Sequence, residues 1–209
     1  MEMLGPVVIV VVVVTIQLTL PPAVTVGPIW LIPVIELSGV PIVIGLALVV
    51  GRESRALRVV MSTYLVLLVS ASVMNAVFLL ISLLEGTDDD TGTQLLIAGF
   101  GVLAINVLSF GLVYWWLDGG GPYVRLAGRV TRQDFLFPQQ GMPSQQAWQP
   151  ALLDYLFTAY TNIIAFSPTD TMPLTHRVKV LFTLQSSTAV LTILVTLSRA
   201  INLIPGGTN

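Results

Sequence analysis

Hydrophobic residues run along this chain in long, nearly unbroken blocks, and the charges fall between the blocks rather than within them. Crossing the hydrocarbon core of a bilayer takes about 20 apolar residues in a helix, and on that measure the pattern predicts five hydrophobic helices. The first covers residues 6–20, a valine-rich run stopped by Pro21 and Pro22. The second covers 28–50 and stops at the basic stretch 51–58, which holds Arg52, Arg55 and Arg58. The third covers 59–84 and ends at Glu85 and the run Asp88, Asp89, Asp90. The fourth starts near Gln94 and ends in Tyr114, Trp115, Trp116, Leu117 and Asp118, followed by Gly119, Gly120, Gly121 and Pro122. Aromatics before a glycine-proline stop read as an interfacial belt at a helix end. The last helix covers 175–204 and is closed by Pro205 and Gly206.

Between the fourth and last blocks the pattern changes. Residues 119–149 form a polar linker holding Arg125, Arg129, Arg132, Asp134, Gln139, Gln140, Gln145 and Gln146. A short apolar segment, 151–166, follows, and at 1.5 Å per residue it reaches only about 24 Å. It is predicted to enter the membrane and turn back at 167–174, which needs cover from protein or water at that depth. The run 6–20 is also short. It lacks the basic start and the small-residue cleavage site of a secretory signal, so it is read as a helix of the folded protein.

Composition narrows the class. Of 209 residues, 10% are charged, against about 25% in an ordinary soluble domain, and 55% are hydrophobic. Nine basic and eleven acidic side chains cannot cover a globule of this size in water. The expected fold class is all-α: a polytopic helical membrane protein of about five transmembrane helices and one short re-entrant helix, multi-pass in the cell membrane with the lipid bilayer as its main partner. A net charge of -2 excludes a nucleic-acid binder that works through a basic surface. With no cysteine and the single His176, no thiolate or multi-histidine metal site can form, and no cofactor or metal is expected. No phosphate-loop, dinucleotide or HExxH pattern occurs. Asp154, Asp170 and His176 do not form two carboxylates facing each other on adjacent spans, so no enzyme activity is expected. The arginines of 52–58 and of 125–132 fall on one side if spans two to four cross, and the acidic run 85–90 falls opposite. The positive-inside rule then puts the amino terminus and both arginine stretches in the cytoplasm.

Few polar groups lie inside the blocks. Glu36 stands deep in the second, among Pro33, Gly39, Pro41 and Gly45. An ionisable residue there is a functional candidate by default, and the prolines suggest a broken helix of the type that hosts transporter sites. The plainer reading is a protonated glutamate that locks packing. Asn75 and Asn106 are expected to hydrogen-bond between helices, with Asn162 and Gln185 as further intramembrane polar groups. Gly99, Gly101, Ala104, Ser109 and Gly111 predict close packing of the fourth helix.

From Asp154 onward the order of features is specific. An amphipathic stretch 155–162 leads through a polar turn to Asp170, Thr171, Met172, Pro173, Leu174 and Thr175, then Arg177 and a long apolar helix with Gln185. This resembles the pore-loop domain of two-transmembrane potassium channels over roughly a quarter of the chain. The stretch is also similar to a group of bacterial multi-pass membrane proteins without an assigned function. The resemblance divides the chain into a three-span bundle, 1–92, and a pore-loop-like unit, 93–209, comprising an outer helix, the linker 119–149, a re-entrant helix 150–166, a turn 167–174 and an inner helix 175–204. Ala165, Phe166, Ser167, Pro168 and Thr169 then stand where the potassium filter stands, with Asp170 at the mouth. The filter itself is not retained: it needs glycines, none occurs from Gln149 through Thr175, and Pro168 fixes its own φ. The resemblance implies a channel for ions or small solutes, not selective for potassium, assembled as a homotetramer. The alternatives are a secondary transporter or a lipid- or partner-binding protein centred on Glu36, or a non-conducting scaffold.

Overall fold

A computed structural model describes residues 4–25, 27–52, 54–85, 92–142, 148–164 and 171–203. The chain is an all-α polytopic protein. Its helices are α1 (Leu4–Thr19), α2 (Leu31–Val49), α3 (Arg55–Glu85), α4 (Gly92–Leu117), α5 (Pro122–Leu126), α6 (Leu152–Ile164) and α7 (His176–Leu203). One antiparallel ribbon joins β1 (Phe135–Leu136) to β2 (Met172–Pro173), with Phe135 opposite Pro173. Four helices, α2, α3, α4 and α7, are long and apolar enough to cross a membrane, and α1 is a shorter apolar helix. Val34, Leu48, Val66, Phe100, Val180 and Leu194 each lie more than half exposed on these four helices. An apolar exterior this extensive suits lipid rather than water, and it places the protein in a membrane.

The centre of the bundle is α4, which packs against α1, α3, α6 and α7. Its glycines are the reason. Gly99 faces Thr196 of α7, Gly101 faces Leu20 just beyond α1, and Gly111 faces Leu156 of α6. Helices in lipid associate through close packing rather than through a hydrophobic driving force, so small residues decide which neighbours approach. These three serve one neighbour each, as the small-residue pattern predicts.

One end of the bundle gathers the arginine stretches. The Arg52 guanidinium lies 5.8 Å from the ring centroid of Tyr123, and Arg52 and Arg58 share a small cleft with Trp116, Gly121 and Val124. Gly5, near the start of α1, sits against Leu152 at the start of α6. The beginning of α1, the α2–α3 connection and the linker after α4 therefore meet at this arginine-bearing end.

Three expectations are corrected. The second span is not broken: α2 runs continuously through Pro41, and Pro33 falls in its first turn, where a missing N–H is harmless. The third helix starts at Arg55 rather than near residue 59, because Ser54 Oγ accepts the Leu57 N–H at 3.1 Å and caps it early. The aromatic run at the end of α4 is not an interfacial belt: Tyr114, Trp115 and Trp116 are all buried, because the linker folds back over them.

Candidate functional site

The site is built from the end of α4 outward. Gly119, Gly120 and Gly121 have φ of +61°, +86° and +106°, values that side-chain-bearing residues rarely adopt. This turn sends the chain back across the helix end instead of into water, and it leaves Asp118 buried beneath the linker. Asp118 Oδ1 accepts the backbone N–H of Asp134 at 2.9 Å and of Phe135 at 3.2 Å, and its Oδ2 accepts the Tyr155 hydroxyl at 2.5 Å. Arg125 donates to the carbonyls of Trp115 and Asp118 at 2.8 and 2.6 Å, and its guanidinium lies 5.1 Å from the Tyr155 ring centroid. One carboxylate thus ties together α4, the β1 strand and the first turn of α6.

A second carboxylate completes the clasp. Asp134, with no exposed surface, accepts from Thr175 Oγ1 at 2.7 Å and from Arg177 Nε at 2.8 Å, and its Oδ2 pairs with Arg177 Nη2. Its backbone carbonyl accepts the Leu174 N–H at 2.9 Å. Burial pushes the Asp134 carboxyl up, but the Arg177 guanidinium, the Thr175 hydroxyl and the Gly119 N–H outweigh it and hold the carboxyl below its ordinary value of 3.8. A depressed carboxylate stabilises the fold above the ordinary value and stops doing so as pH falls through the folded value. Thermal unfolding of the detergent-solubilised protein is therefore expected to shift to lower temperature below about pH 4. The shift should be smaller in Asp134→Asn, and an identical acid limb in both proteins would show that the clasp does not titrate.

The short helix α6 is held along one face. Tyr155, Thr158, Ala159 and Asn162 are buried, while Leu153, Phe157, Tyr160 and Ile164 point outward and are at least half exposed. Asn162 Nδ2 donates to Gln185 Oε1 at 2.9 Å, Tyr114 OH donates to the same oxygen at 2.8 Å, and Gln185 Nε2 donates to the Ala159 carbonyl at 3.0 Å. Three helices meet on one glutamine. Such bonds average about 0.6 kcal/mol in a bilayer, so this knot sets geometry more than stability. Around it Tyr114, Phe135, Phe137, Tyr155 and Phe182 stack at centroid distances of 5.0 to 5.8 Å. The chain leaves α6 and returns to its own start: Thr158 Oγ1 bonds Thr171 Oγ1 at 3.2 Å, and Met172 pairs with Leu136. The helix enters from the arginine-bearing end, and the return strand comes back to that end.

Glu36 lies elsewhere. Its carboxyl is buried, with Oε1 accepting Gln17 Nε2 at 3.2 Å and Oε2 unpartnered. Tyr64 OH donates to the Glu36 backbone carbonyl at 2.7 Å, and the Tyr64 ring packs on Gly39, where a Cβ would stand 2.1 Å from Cε2. A groove of about 620 Å³ between α2 and α3, lined by Ile32, Ile35, Tyr64, Leu67 and Met74, runs past the carboxyl.

Of the residues singled out in the sequence, the structure brings Asn162 and Gln185 together and sets Glu36 apart. Asn75 and Asn106 are buried, but neither side-chain amide has a hydrogen-bond partner, so the expected interhelical bond is not formed. Ala165, Phe166, Ser167, Pro168, Thr169 and Asp170 lie outside the described residues. Sequence reasoning missed Asp118, Arg125, Asp134, Tyr114 and Tyr155 as members of one network. Only the three glycines after Asp118 signalled that the chain turns back there. No protein-family model, no curated protein and no solved structure matches this chain.

Proposed function

We propose that this multi-pass protein passes ions or small solutes across the cell membrane, with the α6 unit at the mouth of the passage. The amino terminus and the arginine-bearing end face the cytoplasm in this reading. The observation that supports it is the re-entrant course of α6. A helix of 13 residues is about 20 Å long, dips beside Gln185, and returns through Thr171 to the end it left. The outward face of α6, with Leu153, Phe157, Tyr160 and Ile164, suits lipid or a neighbouring subunit and not a wet wall. The passage is therefore assigned to the filter-equivalent residues 165–170, one set from each of four subunits around an axis. Without filter glycines it discriminates little between potassium and sodium.

Reconstitution into liposomes tests this. Cation flux with similar potassium and sodium rates, together with a tetrameric mass in detergent, is the expected result. Strong potassium selectivity, or a monomer, would sink the reading. A second reading is favoured by the unpartnered Glu36 Oε2 beside the α2–α3 groove: a transporter or a lipid- or partner-binding protein that uses this carboxyl. A monomer whose flux is abolished by Glu36→Gln would select it.

A further inference from the structure

Ser72 and Asn75 sit one turn apart on α3, and Asn106 and Ser109 sit one turn apart on α4. All four are at most 1% exposed. None of their six polar side-chain atoms, the two serine Oγ and the Oδ1 and Nδ2 of each asparagine, has a hydrogen-bond partner. Helical serines and threonines ordinarily bond the carbonyl one turn back, as Thr158, Ser186 and Thr192 do here. Ser72 and Ser109 do not.

The helix register sets the four groups at neighbouring depths in the bundle. Met61, Tyr64 and Leu65 of α3 share a cleft with Leu112 of α4. Ser72 lies two turns beyond Leu65, and Asn106 lies just under two turns back from Leu112. Asn75 and Ser109 follow one turn to either side. On α7, Gly99 facing Thr196 and Tyr114 bonded to Gln185 bracket Asn106 at the level of Ala189 and Thr192. Both are 1% exposed, and the Thr192 hydroxyl is already spent on the Thr188 carbonyl. No side chain from the third helix supplies the missing partners.

The ligand chemistry follows from the donor and acceptor count. Two amide NH2 groups and two hydroxyls donate, while two amide carbonyls and the same hydroxyls accept. A cation would satisfy only the oxygens and an anion only the donors. Water does both, and a buried molecule makes about three bonds. We propose that the α3–α4 seam is an internal hydration site, in which bound water bridges Ser72, Asn75, Asn106 and Ser109 in the middle of the bundle. This site is independent of the proposed conduction, since a bundle that passes nothing can hold it.

Water-to-protein magnetisation transfer, measured by solid-state NMR on asparagine-labelled wild-type protein in lipid bilayers, tests it. The chain has five asparagines; labelling the preceding residue's carbonyl assigns Asn75 after Met74, and Asn106 and Asn162 are assigned by removing the second Ile-Asn and Thr-Asn pairs with Asn202→Ser and Asn209→Ser. Asn162 supplies an internal control, because its amide is already bonded to Gln185 and to the Phe182 carbonyl. The expected result is early transfer from water to the side-chain amides of Asn75 and Asn106, with little to Asn162. Amides as dry as Asn162 would overturn the proposal, whether or not the two bond each other. So would side-chain shifts that respond to exchange of sodium for choline without any contact to water.

Discussion

Asp118→Ala is expected to destabilise the protein by about 3–5 kcal/mol. Three buried donors, the N–H of Asp134, the N–H of Phe135 and the Tyr155 hydroxyl, lose this carboxylate as their acceptor at once. A stranded buried donor costs about 1–3 kcal/mol, and a bond to a carboxylate is stronger than a neutral one. The lower part of the summed range applies because the site lies at the end of a helix, where water can reach the stranded groups after a small opening. Tyr155→Phe removes one of the three bonds and leaves the carboxylate two donors, so about 1–2 kcal/mol is expected there. Thermal unfolding in detergent, followed by the fluorescence of Trp115, Trp116 and Trp148, gives both values. Equal losses in the two variants would mean that Asp118 does not hold the linker.

Gly111→Leu is expected to lift α6 off α4. A Cβ at this position would stand 2.6 Å from Leu156 Cδ2 and 3.2 Å from Leu156 Cα. The Leu156 side chain can swing away, but its Cα moves only with the helix. Overpacking of this type costs about 1–3 kcal/mol, several times the average worth of the interhelical hydrogen bonds at Gln185, so packing wins and the knot opens. The chain has no cysteine, which makes the displacement easy to read. A single Thr158→Cys, on the buried face of α6, should resist a thiol reagent in the parent and react in the Gly111→Leu background. Gly45→Leu serves as the control, because nothing lies within 4 Å of a Cβ at Gly45. Protection that survives Gly111→Leu would show that α4 and α6 do not depend on this contact.

The helices were legible because run length and charge placement are local properties. The predicted 28–50, 175–204 and 150–166 correspond to α2 (Leu31–Val49), α7 (His176–Leu203) and α6 (Leu152–Ile164). The packing role of Gly99, Gly101 and Gly111 was also legible, since a small residue in an apolar helix has few other uses. The clasp was not. Asp118 and Asp134 look like ordinary solvated acids near a membrane surface, and each finds its partners far along the chain: Tyr155 is 37 residues from Asp118, and Arg177 is 43 from Asp134. The prolines of α2 misled for a related reason. A proline's cost depends on its place in the helix, and the start of α2 at Leu31 is not marked by any capping side chain. Asn75 and Asn106 were legible as buried polar groups, but not as unpaired ones, because that depends on register.

The clasp also orders the making of the protein. Asp134 emerges before α6 during synthesis, while Thr175 and Arg177 emerge after it, and their bonds span 41 and 43 residues. Until α7 has been synthesised, α6 can be tethered to α4 through Tyr155 and Leu156, and the return strand is held only by its pairing with β1, by the Leu174 N–H on the Asp134 carbonyl and by the Thr175 hydroxyl on the Asp134 carboxylate. A nascent chain stalled before Arg177 would leave the buried Asp134 carboxylate without its cationic partner. The Arg177–Asp134 pair therefore closes last, and a chain cut short before α7 lacks both that pair and the Gln185 bonds that hold α6, even though every residue of α6 is present.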